Sequence, residues 1–204
     1  MTRNTLDGFT VTRRLRASGK HFPVLFLTAK DAVGGEPFAV VLPDDVILAD
    51  EPCLQQMRRV FEETGRPVIA LMEVTQAETS RYGVVAGEML GNRRFRITDM
   101  VEKPKSDPPS RYAIIGRYIL MPEVFGHLGR QERGAGGEIQ LTDAMAALLD
   151  SGTPVHAIIY RGHRYDTGMP LGYLQAVVEL AAKREDLGAE FRAWLAEFVA
   201  GGAK

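Results

Sequence analysis

The residues in this chain best suited to chemistry are carboxylates that follow apolar runs. Leu42-Pro43-Asp44-Asp45 closes the run PFAVVL at 37–42. In open α/β sheets, ligands bind beyond the carboxyl ends of strands. Mg²⁺ is usually held by one or two carboxylates plus substrate phosphates. Asp44 and Asp45 therefore suit a hard divalent cation, although a turn or a helix cap would use the same pair. Arg164-Tyr165-Asp166-Thr167-Gly168 puts a second acid just after a strand, beside a glycine and ahead of a helix opening at Pro170. Alone, Asp166 reads equally as a turn aspartate accepting backbone hydrogen bonds. Together with Asp44, it would let one metal on a pyrophosphate use both acids.

Two further stretches carry candidates. Gly134-Ala135-Gly136-Gly137-Glu138 is glycine-dense and opens a helix, whose N–H groups suit an anion. Glu138 itself would repel phosphate but accept hydrogen bonds from sugar hydroxyls; as a first-turn acid it would equally serve the helix dipole. Val101-Glu102-Lys103-Pro104 ends a strand on an acid and a base. Lys103 there either pairs with a phosphate or stays a solvated charge beside Glu102. No Walker A loop, G-x-G-x-x-G or G-x-S-x-G elbow occurs. Cys53 has no histidine near it in sequence, and the four histidines show no ligand spacing.

The elements that must position these residues follow from periodicity. The run at 37–42 is continuous, as in a strand covered on both faces. Asp50-Glu51-Pro52 predicts a helix start, Leu54, Met57 and Phe61 follow at helical spacing, and Gly65 stops the helix. A second apolar run at 67–74 completes a βαβ unit and predicts parallel pairing there. Residues 82–101 suggest a hairpin or meander, with a turn at Gly91-Asn92. Strands are expected at 113–120 and 155–160, and a helix over 138–149 with Leu141, Met145 and Leu148 on one face. Two helices close the chain, the last with Phe191, Trp194, Leu195 and Phe198 as a stripe facing the core.

The 204 residues are 45% apolar, enough for one domain or one with a small lobe. A formal charge of −1 gives no basic excess for nucleic acid, and no apolar run is long enough to span a membrane. The single cysteine excludes an internal disulfide framework and fits the cytoplasm. Residues 1–20 carry Arg3, Arg13, Arg14, Arg16 and Lys20 against Asp7 alone and lack a signal-peptide core. Residues 1–23 are thus expected to form a basic, poorly ordered leader before a domain at 24–204.

Six stretches, in order, resemble the bacterial UTP–glucose-1-phosphate uridylyltransferases. They are PFAVVLPDD (37–45), YGVV (82–85), MVEKP (100–104), AIIGRYIL (113–120), GAGGEIQLTDA (134–144) and RYDTGMPLGYLQA (164–176). The resemblance implies a Rossmann-like nucleotide-diphospho-sugar transferase fold: α/β, with a mixed, mostly parallel sheet and helices on both faces. It also implies Mg²⁺ as cofactor, with Asp44 and Asp166 as its ligands. Gly83 would bind glucose through its backbone, and Glu102 and Glu138 would bind sugar hydroxyls. Lys103 would contact the phosphate of glucose 1-phosphate, acting with Asp44 in the transfer. UTP and glucose 1-phosphate would give UDP-glucose and pyrophosphate. Residues 1–23 hold nothing like the family's G-x-G-T-R loop. The chain therefore reads as N-terminally truncated, and turnover is expected to fall by orders of magnitude. The alternative is an impaired sugar-nucleotide-binding or assembly subunit, with an uncovered sheet edge suited to a homo-oligomer.

Overall fold

The computed structural model describes residues 30–131 and 139–201. The leader assigned above to residues 1–23, and Glu138, lie outside the described residues. Eight strands run in chain order: β1 (Phe38–Val41), β2 (Asp45–Leu48), β3 (Val68–Glu73), β4 (Gly83–Gly91), β5 (Arg94–Glu102), β6 (Tyr112–Leu120), β7 (His156–Ile159) and β8 (His163–Asp166). The helices are α1 (Cys53–Thr64), α2 (Val124–Leu128), α3 (Leu141–Asp150), α4 (Pro170–Lys183) and α5 (Gly188–Ala200). The described residues gather into two compact units, the larger holding residues 30–40 and Leu54–Tyr160 and the smaller Val41–Cys53 with residues 161–201.

In the larger unit, VIALME has the near-continuous hydrophobicity of a strand covered on both faces, and Val68 to Leu71 of β3 are indeed fully buried. β3 lies inside a sheet ordered β1-β6-β3-β7-β5-β4, with β4 also pairing β6. The sheet is mixed, but the expectation of a mostly parallel one fails among the described strands. Only β3 with β7 is recorded as parallel, while β3–β6, β4–β5, β4–β6 and β5–β7 are antiparallel. The βαβ reading erred because β6 returns between β1 and β3. Sequence spacing carries no trace of such an insertion.

Side-chain alternation divides the core. Ile69 and Leu71 join Val85, Phe95 and Ile97, together with Phe125 of α2 and Met145 and Leu148 of α3, in one cluster. Helix α1 begins at Cys53, directly after Pro52, and ends where Gly65 adopts φ +61° and donates its N–H to Phe61. Its buried stripe is Cys53, Gln56, Met57 and Val60; the expected Leu54 and Phe61 are only half-buried. Burying Met57 and Val60 stabilises the fold by about 1.5–3 kcal/mol each. The β4–β5 turn falls on Asn92 and Arg93, both at positive φ, one residue later than the sequence suggested.

The smaller unit rests on an antiparallel ladder, missed in the sequence, between β2 and β8. Pro170 stands at the start of α4, where a missing N–H costs nothing. The Tyr165 hydroxyl donates to Glu179 of α4, which also accepts from Lys183. The closing stripe does not face a core: Trp194 is 54% and Phe198 57% exposed, because no described element covers them. No described helix is long and apolar enough to cross a membrane.

Candidate active site

In the larger unit, the β4–β5 hairpin brings the first residue of β4 opposite the last of β5, so Gly83 pairs in register with Glu102. The next rung is the Lys103 N–H donating to the Tyr82 carbonyl at 3.0 Å. Lys103 precedes Pro104, which disfavours the right-handed helical region, and takes φ +45°. A left-handed non-glycine residue costs about 1–3 kcal/mol, so the surrounding structure holds this turn against its own preference. It leaves the Lys103 side chain 52% exposed and that of Glu102 11% exposed, with Nζ 3.6 Å from Oε1. That separation is too long for a hydrogen bond and leaves the ammonium available to an anion.

Helix α3 supplies the other side. Thr142, buried beneath its first turn, donates from Oγ1 to Glu102 Oε2 at 2.7 Å. Asp143 follows it, and its carboxyl is held above the usual aspartate value of 3.8, by burial first and by the charge of Glu102 second. Raised above its unfolded value, it contributes stability that is present in full below 3.8 and lost as pH rises through the folded value. Asp143→Asn is therefore expected to raise the melting temperature at pH 7 but not at pH 3. Equal shifts at both pH values would refute the electrostatic cause.

Gly83 is where the chain has no room. A Cβ there would meet Thr142 Oγ1 at 2.9 Å, Glu102 Oε2 at 3.0 Å and Ile114 Cδ1 at 3.1 Å. Gly83→Ala is expected to cost about 1–3 kcal/mol by overpacking, read as a lower urea midpoint. An unchanged midpoint would mean that the three neighbours yield freely.

In the smaller unit, the β2–β8 register places Asp45 opposite Asp166. Thr167 clamps the two segments, donating its N–H at 2.7 Å and its hydroxyl at 3.0 Å to the Asp44 carbonyl. The adjacent acids then separate by role. Asp45 is 5% exposed and takes the guanidinium of Arg164, itself only 13% exposed. Asp44 is exposed. Its Oδ2 lies 3.5 Å, and Asp166 Oδ1 3.2 Å, from the point where a Cβ on Gly168 would stand. Two carboxylates from distant segments thus border one space that a glycine keeps open. Arg164 Nη2 stands 3.5 Å from the other Asp166 oxygen.

The residues fit a hard cation. Both donors are carboxylate oxygens, exposed on Asp44 and half-buried on Asp166. No group of three or more His, Cys, Asp or Glu side chains among the described residues is arranged to hold a metal. Two carboxylates are the protein contribution expected where substrate phosphates complete the coordination.

Gly83, Glu102 and Lys103 thus meet in one unit, and Asp44 and Asp166 in the other. Sequence reasoning missed Thr142, Asp143 and Arg164. Thr142 stands three residues before Met145 on the apolar stripe, and a polar residue on a buried stripe is a readable signal. Arg164 shares the strand face of Asp166 by period two.

A model of the nucleotidyl transferase family matches residues 11–183. The chain belongs to this family. This nucleotidyl transferase is 43% identical over 169 residues to the UTP–glucose-1-phosphate uridylyltransferase of Staphylococcus epidermidis, covering 82% of this chain and 58% of that protein. It is 42% identical over 173 residues to uridylyltransferase 2 of Staphylococcus saprophyticus, covering 84% of this chain and 58% of that protein. A UDP-glucose pyrophosphorylase solved with UDP-glucose superposes with a TM-score of 0.73 at 40% identity, over 78% of this chain and 61% of that one. A UTP-bound enzyme from Acinetobacter baumannii gives 0.74 at 32% identity, over 84% and 60%. The nucleotidyl transferase therefore spans less than two thirds of the length of these relatives. Their likeness extends to the fold, an α/β domain with a mixed sheet.

Proposed function

We propose that this nucleotidyl transferase is a UTP–glucose-1-phosphate uridylyltransferase acting in the cytoplasm, converting UTP and glucose 1-phosphate to UDP-glucose and pyrophosphate. The observation that carries this reading is the convergence of Asp44 and Asp166, distant in sequence, on the space above Gly168. The names of the relatives supply the substrates.

An oxygen of the sugar phosphate attacks the α-phosphorus of UTP, and the bond from that phosphorus to the leaving pyrophosphate breaks. Such a reaction needs positioning and charge neutralisation more than covalent help. Glu102 binds a sugar hydroxyl, because an ionised carboxylate only accepts and a hydroxyl donates. Lys103, exposed beside it, neutralises the phosphate of glucose 1-phosphate. Gly83 offers a backbone hydrogen bond to the sugar, and Glu138 a second carboxylate for its hydroxyls. Asp44 and Asp166 would hold Mg²⁺, which when bound supplies charge neutralisation for the phosphates.

The test is pyrophosphate release from UTP, with calorimetry of glucose 1-phosphate binding alongside. Release requiring both Mg²⁺ and glucose 1-phosphate, with measurable sugar-phosphate binding, is expected. Neither release nor binding would overturn the reading.

A further inference from the structure

Among the groups described, one makes a polar contact that packing alone does not demand. Thr142 lies on the stripe that α3 buries with Ala144, Met145 and Leu148, where valine would fill the same volume. Its hydroxyl nevertheless reaches Glu102 Oε2, from a residue 40 positions away. The same hydroxyl lies 2.9 Å from the missing Cβ of Gly83, so only a glycine there lets it occupy this place. Three elements thus converge on one carboxylate: β5 carries it, α3 holds one of its oxygens, and β4 stands back to make room. The other oxygen, Oε1, has Lys103 Nζ at 3.6 Å.

We propose that Thr142 is the positioning residue for sugar recognition: by occupying Oε2 it orients Glu102 so that Oε1 meets a substrate hydroxyl. This rests on the reading that Glu102 binds the sugar. A glutamate side chain has three rotatable bonds between Cα and its carboxyl carbon, and a short hydrogen bond from a buried hydroxyl restricts that freedom before the ligand arrives. Preorganisation of this kind raises affinity by lowering the ordering cost of binding. Thr142 touches no substrate in this account; it acts through Glu102.

The experiment measures binding of glucose 1-phosphate and its monodeoxy analogues to the full chain by calorimetry, for the unaltered protein, Thr142→Val, Thr142→Ser, Glu102→Ala and the Thr142→Val/Glu102→Ala double variant. Thermal melts check folding, and Thr142→Ala replaces Thr142→Val should the latter not fold. Thr142→Val is expected to weaken glucose 1-phosphate about tenfold, the effect of one hydrogen bond to a charged group. It should also flatten the discrimination against the analogue that lacks the recognised hydroxyl. Thr142→Ser should restore both, and Thr142→Val should cost nothing further in the Glu102→Ala background. Full additivity, or unchanged binding in Thr142→Val while Glu102→Ala loses affinity, overturns the positioning role and leaves the Glu102 reading standing. Unchanged binding in Glu102→Ala defeats that reading, and the positioning role falls with it.

Discussion

On the function proposed above, Asp44→Asn and Asp166→Asn are each expected to lower uridylyl transfer by about 10²–10³-fold, the loss typical of removing one preorganised charge-stabilising group. Each change removes a negative oxygen donor from a two-carboxylate site and leaves a neutral amide, which a hard cation accepts less readily. The volume hardly changes, so folding should be spared. Mn²⁺ titration followed by electron paramagnetic resonance gives a second readout, with weaker ion binding expected in both variants. Asp45→Asn is the contrast, because Asp45 sits against Arg164 and not beside Gly168. It should alter stability more than ion affinity. Ion binding that survives in Asp44→Asn but disappears in Asp45→Asn would reverse the assignment of the two acids.

Arg164→Ala is expected to cost about 3–5 kcal/mol, the largest stability effect in the smaller unit. The guanidinium and the Asp45 carboxylate are both nearly out of solvent. Removing one partner strands a buried charge, which is far more costly than the net value of the pair. Urea denaturation should show a lower midpoint with an unchanged slope. Arg164→Lys should recover only part, since an ammonium cannot reproduce the guanidinium fork that faces Asp45 and Asp166 together. Replacing both members by apolar residues, Arg164→Met with Asp45→Leu, should recover most of the loss. A wild-type midpoint in Arg164→Ala would mean that water or another donor reaches Asp45.

Much of this was legible beforehand, and the reasons differ by residue. Strand β3 and the β4–β5 hairpin were readable because apolar runs and turn residues are local signals. Asp44 and Asp166 were readable as acids at strand ends, and their meeting follows the family resemblance. Strand β2 escaped because four residues, DVIL, carry too little periodicity to announce a strand. The position of β6 between β1 and β3 escaped because strand order is a long-range property. Thr142 was passed over because stripes are scanned for apolar members, and its hydroxyl matters only once β5 lies beside it. The Trp194 stripe has core-like spacing, but spacing does not say whether a surface is covered.

The β2–β8 ladder also bears on what kinds of genetic change this protein tolerates. Strand side chains alternate, so a slip of one position exchanges inward and outward residues. Asp44 and Asp45 are neighbours with opposite surroundings, one solvated and one against Arg164. A codon lost or gained within 46–48 or 163–165 would keep every acid in the gene and still send each to the other's address. The spacing between these segments, as much as the identity of the acids, is what selection must guard.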